Sequence, residues 1–292
     1  MPILTIHHRT EYRYARPVSF GEHRIMLRPR DGHDLRVLAE QLSIQPGPVS
    51  ARFFQDFYGN TIGVVKFASR SDKLVFDSKV KVDHRPTRGL QLSADDYAFL
   101  HPFAYDADDM PELASSIQRA FEDPDRKIEL WARQFVRAEG ETLTQDLLAD
   151  ITRAIQRDFV LRRSYRTGVQ NPLDTLRTGM GSSRDFAMLM IEAVRSLGYA
   201  ARFVTGYRHM RNGEQERVGG GATHSWVAVY LPGKGWAEFD PTNGLIGNAD
   251  LIPVAVARAP HQAVLLSGTY TGSASDHLEM RVNIRVVSET QS

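Results

Sequence analysis

Three residues far apart in the chain are of the types that together perform acyl transfer: Ser183, His224 and Asp240. A hydroxyl attacks a carbonyl carbon only when a base takes its proton. An imidazole can do this at neutral pH, and a carboxylate can hold that imidazole in one tautomer. Ser183 lies in GMGSSRDF, His224 at the head of ATHSWVAVYL and Asp240 at the end of WAEFDPTNG. The chain contains no cysteine, so thiol nucleophiles, thiolate metal sites and disulfides are all excluded.

The elements that must position these groups are legible around them. In RDFAMLMIEAVRSLG, residues Phe186, Leu189, Met190, Ala193, Val194 and Leu197 make one apolar stripe, and Gly198 supplies a left-handed stop. Ser182 to Asp185 reads as a capping box with Ser182 as N-cap, which leaves Ser183 in the first helical turn. His224 and Asp240 sit on two strand-like segments separated only by Pro232-Gly233-Lys234-Gly235, so a hairpin brings them to the same end on neighbouring strands. The backbone N–H of Ser183 is the natural first oxyanion donor, with Gln170 and Tyr165, in the loop ahead of the helix, as candidates for the second. Trp226 and Trp236, placed on opposite sides of the hairpin, are candidate core or cleft walls that could contact substrate. Gly219-Gly220-Gly221 lacks the following helix and Lys-Ser/Thr pair of a phosphate cradle and reads as a loop beside His224.

These segments carry a resemblance. GMGSSRDFAMLMIEAVRSLGYAARFVTGY, followed by THSWVAVYLPGKGWAEFDPTNG, resembles the core of the bacterial transglutaminase-like family, part of the papain-like superfamily of thiol acyl-transferases and peptidases. The first 85 residues, with Asp56-Phe57-Tyr58-Gly59-Asn60, resemble the N-terminal region that often precedes that core. The resemblance implies a base at His224, an orienting acid at Asp240, a peptide or protein carboxamide as substrate, and a cysteine nucleophile where this chain has Ser183. A thiol can be held as thiolate by an imidazolium and a helix N-terminus, whereas a hydroxyl must lose its proton during attack. Three accounts of the serine stand open: an engineered silencing replacement, a natural serine triad, or a natural inactive descendant that binds a peptide or amide without turning it over.

The remaining sequence sets the frame. With 42% hydrophobic and 24% charged residues in 292, the chain reads as folded, and its formal net charge of +1 offers no field for a nucleic-acid backbone or an anionic membrane. No apolar run approaches the ~20 residues that span a bilayer, and the first ten residues lack a signal pattern, so a cytoplasmic protein is expected. Residues 1–85 read as antiparallel strands in a β-sandwich-like domain, broken by turn signals that include Ala15-Arg16-Pro17. A linker covers 86–108, and 109–292 reads as helices first and strands afterwards. The fold class is α+β. His7 and His8 alternate to opposite faces of a strand and cannot easily chelate one ion. No metal or cofactor is expected, and the oligomeric state is not readable.

Overall fold

A computed structural model describes residues 3–86, 95–162, 168–209 and 223–289. Its first element is a strand of 23 residues, β1 (Ile3–Ile25), followed by β2 (Leu35–Gln45), β3 (Ser50–Gln55), β4 (Thr61–Lys66) and β5 (Arg70–His84). All pair antiparallel in the order β2-β5-β1-β4-β3. The expected turn at Ala15-Arg16-Pro17 is absent. These residues form an exposed irregularity at which the register with β5 jumps from Arg13 to Val18, and the strand continues past it. A bulge leaves residues outside the ladder, which is where a proline without an N–H can sit in a strand.

The second unit begins with a two-residue strand, β6 (Leu100–His101), and α1 (Met110–Ile117) and α2 (Lys127–Arg133) follow. Next come β7 (Thr142–Leu143), which pairs with β6, α3 (Thr144–Asp158), β8 (Val160–Leu161), α4 (Pro172–Thr178) and β9 (Met180–Gly181), which pairs with β8. The central helix is α5 (Ser183–Ser196). A five-stranded antiparallel sheet completes the core: β10 (Ala201–Arg208), β11 (His224–Leu231), β12 (Gly235–Asp240), β13 (Leu245–Ile246) and β14 (Leu251–Ala257), in the order β13-β12-β11-β10-β14. Helix α5 packs on β10 and β11 from one side and on α2, α3 and α4 from the other. Residues 185–195 of α5 are all buried, as expected of a helix enclosed by partners.

Part of the expected linker is docked. The Tyr105 hydroxyl donates to the Tyr230 carbonyl at 2.9 Å and accepts the Ala200 N–H at 2.9 Å, which pins the chain after β6 to the core sheet. The last two strands, β15 (Leu266–Thr271) and β16 (His277–Glu289), pair with β1 along its second edge. Their hydrogen bonds therefore belong to the N-terminal sheet, and the reading that keeps 109–292 together as one unit is corrected at its end. Strand β1 had an unpaired row of N–H and C=O groups on that edge, and the returning chain satisfies it.

The two sheets are tied by buried polar contacts. Asn60, fully buried, accepts the Val256 N–H at 2.8 Å and donates to the Val256 carbonyl at 2.7 Å, so one side-chain amide reads the backbone of β14. Asp56 holds Asn60 in place by accepting its backbone and side-chain N–H groups at 2.8 and 2.9 Å. The segment Asp56-Phe57-Tyr58-Gly59-Asn60 is thus a docking turn. His8 points inward and meets the Tyr207 hydroxyl at 2.9 Å, while His7 points outward to Asp77 at 2.7 Å, so the two rings take opposite faces as expected.

Candidate active site

The β11–β12 hairpin forms as the Pro-Gly-Lys-Gly turn dictates, with Leu231 opposite Gly235 and left-handed φ values of 76° and 79° at Gly233 and Gly235. This register brings the head of β11 to the end of β12. His224 Nε2 lies 2.8 Å from Asp240 Oδ2, so the predicted pair is in contact. Asp240 has no exposed surface and gathers three more donors. Its Oδ1 accepts the backbone N–H groups of Thr242 at 3.0 Å and Asn243 at 3.3 Å, and its Oδ2 accepts the Asn243 side-chain amide at 2.7 Å.

Burial alone would push the Asp240 carboxyl up. The facing His224, with hydrogen bonds from His224, Asn243 and the Thr242 N–H, outweighs burial and holds it below the usual carboxylate range. As a carboxylate it can only accept, so it fixes the proton of His224 on Nε2 and leaves Nδ1 with the lone pair a general base needs. Asn243 was not among the sequence candidates. Its signal was its place three residues after Asp240 in Asp-Pro-Thr-Asn, where a turn folds a side chain back on its first residue.

Ser183 is the first residue of α5 and is half-buried. The start of that helix is built by its neighbours. Asp185 Oδ2 accepts both the backbone N–H and the hydroxyl of Ser182 at 2.7 Å, and its Oδ1 accepts the Gln170 backbone N–H at 2.7 Å. The left-handed residue past the helix is Gly198, at φ 94°. Among the described residues no hydrogen bond joins Ser183 Oγ to His224. The structure therefore brings two of the three candidates together and leaves the third at the mouth of a helix packed on the strand that carries His224.

The substrate-contact candidates are distributed differently from expectation. Trp226 has no exposed surface and stacks behind the His224 ring, with centroids 5.9 Å apart and 25° between planes. It is a wall of the histidine and offers a ligand no surface. Trp236 packs against the same apolar cluster as Trp226, with the Arg202 guanidinium 3.9 Å above its ring, near the hairpin turn and away from His224. The expectation that the two indoles flank opposite sides of the hairpin is thus corrected. Residues 226, 228, 230, 236, 238 and 240 share one face by strand alternation. Gln170 directs its side-chain amide to Thr175 Oγ1 and the Met180 carbonyl, both at 3.3 Å. Tyr165 and Gly219-Gly220-Gly221 lie outside the described residues. Among the described residues no group of three or more His, Asp or Glu side chains could hold a metal ion, and no helix is long and apolar enough to cross a membrane.

An α+β core with its central helix opening at the expected nucleophile, and a hairpin presenting histidine and aspartate, defines the papain-like class. Comparison with known proteins makes this specific. Residues 4–83 match the bacterial transglutaminase-like N-terminal region and residues 131–241 the transglutaminase-like superfamily. The chain belongs to the bacterial transglutaminase-like family. It is similar to an uncharacterised protein of Mycobacterium tuberculosis, 29% identical over 292 residues and covering 95% of this chain and 90% of that one. The uncharacterised protein YebA of Bacillus subtilis is 38% identical over 79 residues, 25% of this chain and 11% of its own. A crystal structure of a putative cysteine protease from Cytophaga hutchinsonii shares the fold, with a TM-score of 0.73 at 19% identity, covering 100% of this chain and 92% of that one.

Proposed function

We propose that this protein catalyses acyl transfer from, or hydrolysis of, a peptide or protein carboxamide, with Ser183 as nucleophile, His224 as base and Asp240 as the group that orients it. The supporting observation is the buried Asp240 carboxylate, whose 2.8 Å contact with His224 Nε2 leaves Nδ1 as the acceptor for a nucleophile's proton. The serine hydroxyl would pass its proton to Nδ1 as Oγ bonds the carboxamide carbon. The imidazolium then returns it to the departing amine, and water or a second amine releases the acyl group. The N–H of Ser183, in the first turn of α5, would face the developing oxyanion.

A second reading has its own support. Among the described residues no hydrogen bond links Ser183 to His224, as expected of a site that holds a carboxamide without reacting. The two are separated by comparing the protein with Ser183→Cys and Ser183→Ala. Ammonia release from a glutamine-containing peptide and labelling by a fluorophosphonate probe are expected for the serine form and absent in Ser183→Ala. Iodoacetamide should alkylate Ser183→Cys. A serine form that neither labels nor releases ammonia, beside a reactive cysteine variant, would reject the serine enzyme and retain the site. An inert cysteine variant that still binds the peptide would favour the binding module.

A further inference from the structure

Glu238 is an ionisable group that the proposed reaction does not use. It lies two residues before Asp240 on β12, opposite Ala228, on the strand face that carries Trp226. Its Oε2 is buried without a hydrogen-bond partner, and the Trp226 indole N–H is likewise buried and unpartnered among the described residues. The two groups face one another closely enough for the indole dipole to favour the carboxylate, yet outside hydrogen-bond geometry. The other charged groups felt by Glu238 come from the N-terminal unit: Asp34, whose carboxylate accepts the Asn248 side-chain amide, and Arg30, whose Nη1 donates to the Tyr58 carbonyl at 2.8 Å and Asn60 Oδ1 at 2.7 Å.

The Trp226 indole is confined at its far end, so its N–H edge is the part that can shift. A methyl group at Gly206, opposite His224 on β10, would stand 2.9 Å from the tip of the indole and 2.1 Å from the Ile252 carbonyl. The indole meets backbone at that end and the His224 ring at its face, and among the described residues its unpartnered N–H faces Glu238. We infer that Glu238 is a positioning residue: through the Trp226 indole it sets the orientation of the His224 imidazole, so that the carboxyl and the base form one relay across the hairpin. This rests on the reading of His224 as the base.

Burial pushes the Glu238 carboxyl up to about 8, with Trp226 opposing, Asp34 adding to it and Arg30 opposing. Above that value the new carboxylate attracts the indole N–H and draws the ring toward it. The experiment follows the ring N–H signals of His224 and Trp226 by NMR on the full chain from pH 6 to 10. Both should show a step with a common midpoint near 8. In Glu238→Gln the step should vanish from both signals. In Trp226→Phe, which keeps the stack and removes the N–H, the step should vanish from His224. The proposal is overturned by flat signals in the unmodified protein, by a step that survives Glu238→Gln, or by a His224 step that survives Trp226→Phe, since the last would mean charge acting directly through space. None of these readouts needs turnover. An absence of ammonia release and probe labelling would therefore count against the proposed reaction while the NMR series still judges the relay.

Discussion

Two buried carboxylates anchor the two halves of the site, and they do different work. Asp240, at the end of the hairpin, takes donors from His224, Thr242 and Asn243 and grips the proposed base itself. Asp185, in the first turn of α5, takes donors from Ser182, the residue before Ser183, and from Gln170 in the loop ahead of the helix, and makes no side-chain hydrogen bond to Ser183 among the described residues. The proposed base is fixed by direct bonds, whereas the proposed nucleophile is placed by the helix it opens. This asymmetry suits a thiol, which a helix N-terminus and an imidazolium can activate without a bond to hold it. A hydroxyl needs an aligned acceptor, so under the proposed reaction the helix half is the point at which activity would be decided.

The largest effect should come from breaking the hairpin half. Asp240→Ala strands several buried donors and is expected to cost about 3–5 kcal/mol in urea unfolding. Asp240→Asn keeps the shape but offers His224 an N–H where it needs an acceptor, so the imidazole takes the other tautomer. Stability should fall much less, while any ammonia release should drop by about 10⁴-fold, as in serine triads. Acid adds a check with a defined sign. The folded Asp240 carboxyl lies below its usual unfolded value of about 3.9. The stability it contributes is therefore complete above that value and is lost as pH falls through the lower folded one. The gap in melting temperature between the protein and Asp240→Asn should narrow below pH 4. A gap that widens on acidification would contradict the assignment.

The helix half should respond in stability and leave the base intact. Asp185→Ala removes the acceptor for Ser182 and Gln170, with an expected loss of about 2–3 kcal/mol. The His224 ring N–H signal should stay where it is. Movement of that signal would show that the two halves are coupled and that the comparison is drawn too sharply.

Sequence legibility followed the range of the forces involved. Helix α5 and the β11–β12 hairpin were readable because local devices specify them: a stripe of apolar residues, a cap, a left-handed glycine and a tight turn. The continuation of β1 through Pro17 was not, because a turn signal and a bulge signal are the same residues, and only pairing with β5 decides between them. The return of β16 to β1 depends on an unpaired edge more than 250 residues away, which no window of sequence contains. Strand β14, in Leu251–Ala257, carries a proline, and α4 is a single short helix behind Asn171-Pro172, so neither has a period long enough to declare itself. At the site, the partners His224 and Asp240 were legible from residue type and hairpin geometry. The packing role of Trp226 was legible too, but not its stacked place behind the His224 ring, since that requires the bare backbone of Gly206 on the adjacent strand.

The smallest effects come from two adjacent serines, and they test the division of labour most finely. Ser182 is buried and its hydroxyl donates to Asp185 at 2.7 Å, so Ser182→Ala removes one bond from the cap. The expected cost is about 1 kcal/mol, with fluorophosphonate labelling of Ser183 retained because the helix still opens at the same residue. Ser183 is half-buried and makes no side-chain hydrogen bond among the described residues, so Ser183→Ala should change stability by less than about 0.5 kcal/mol while abolishing labelling. The two hydroxyls, one residue apart, should thus exchange phenotypes: one carries the fold and the other the chemistry. Equal stability losses in both variants would show Ser183 to be a second cap, and the proposed nucleophile would then have to be sought elsewhere in the chain.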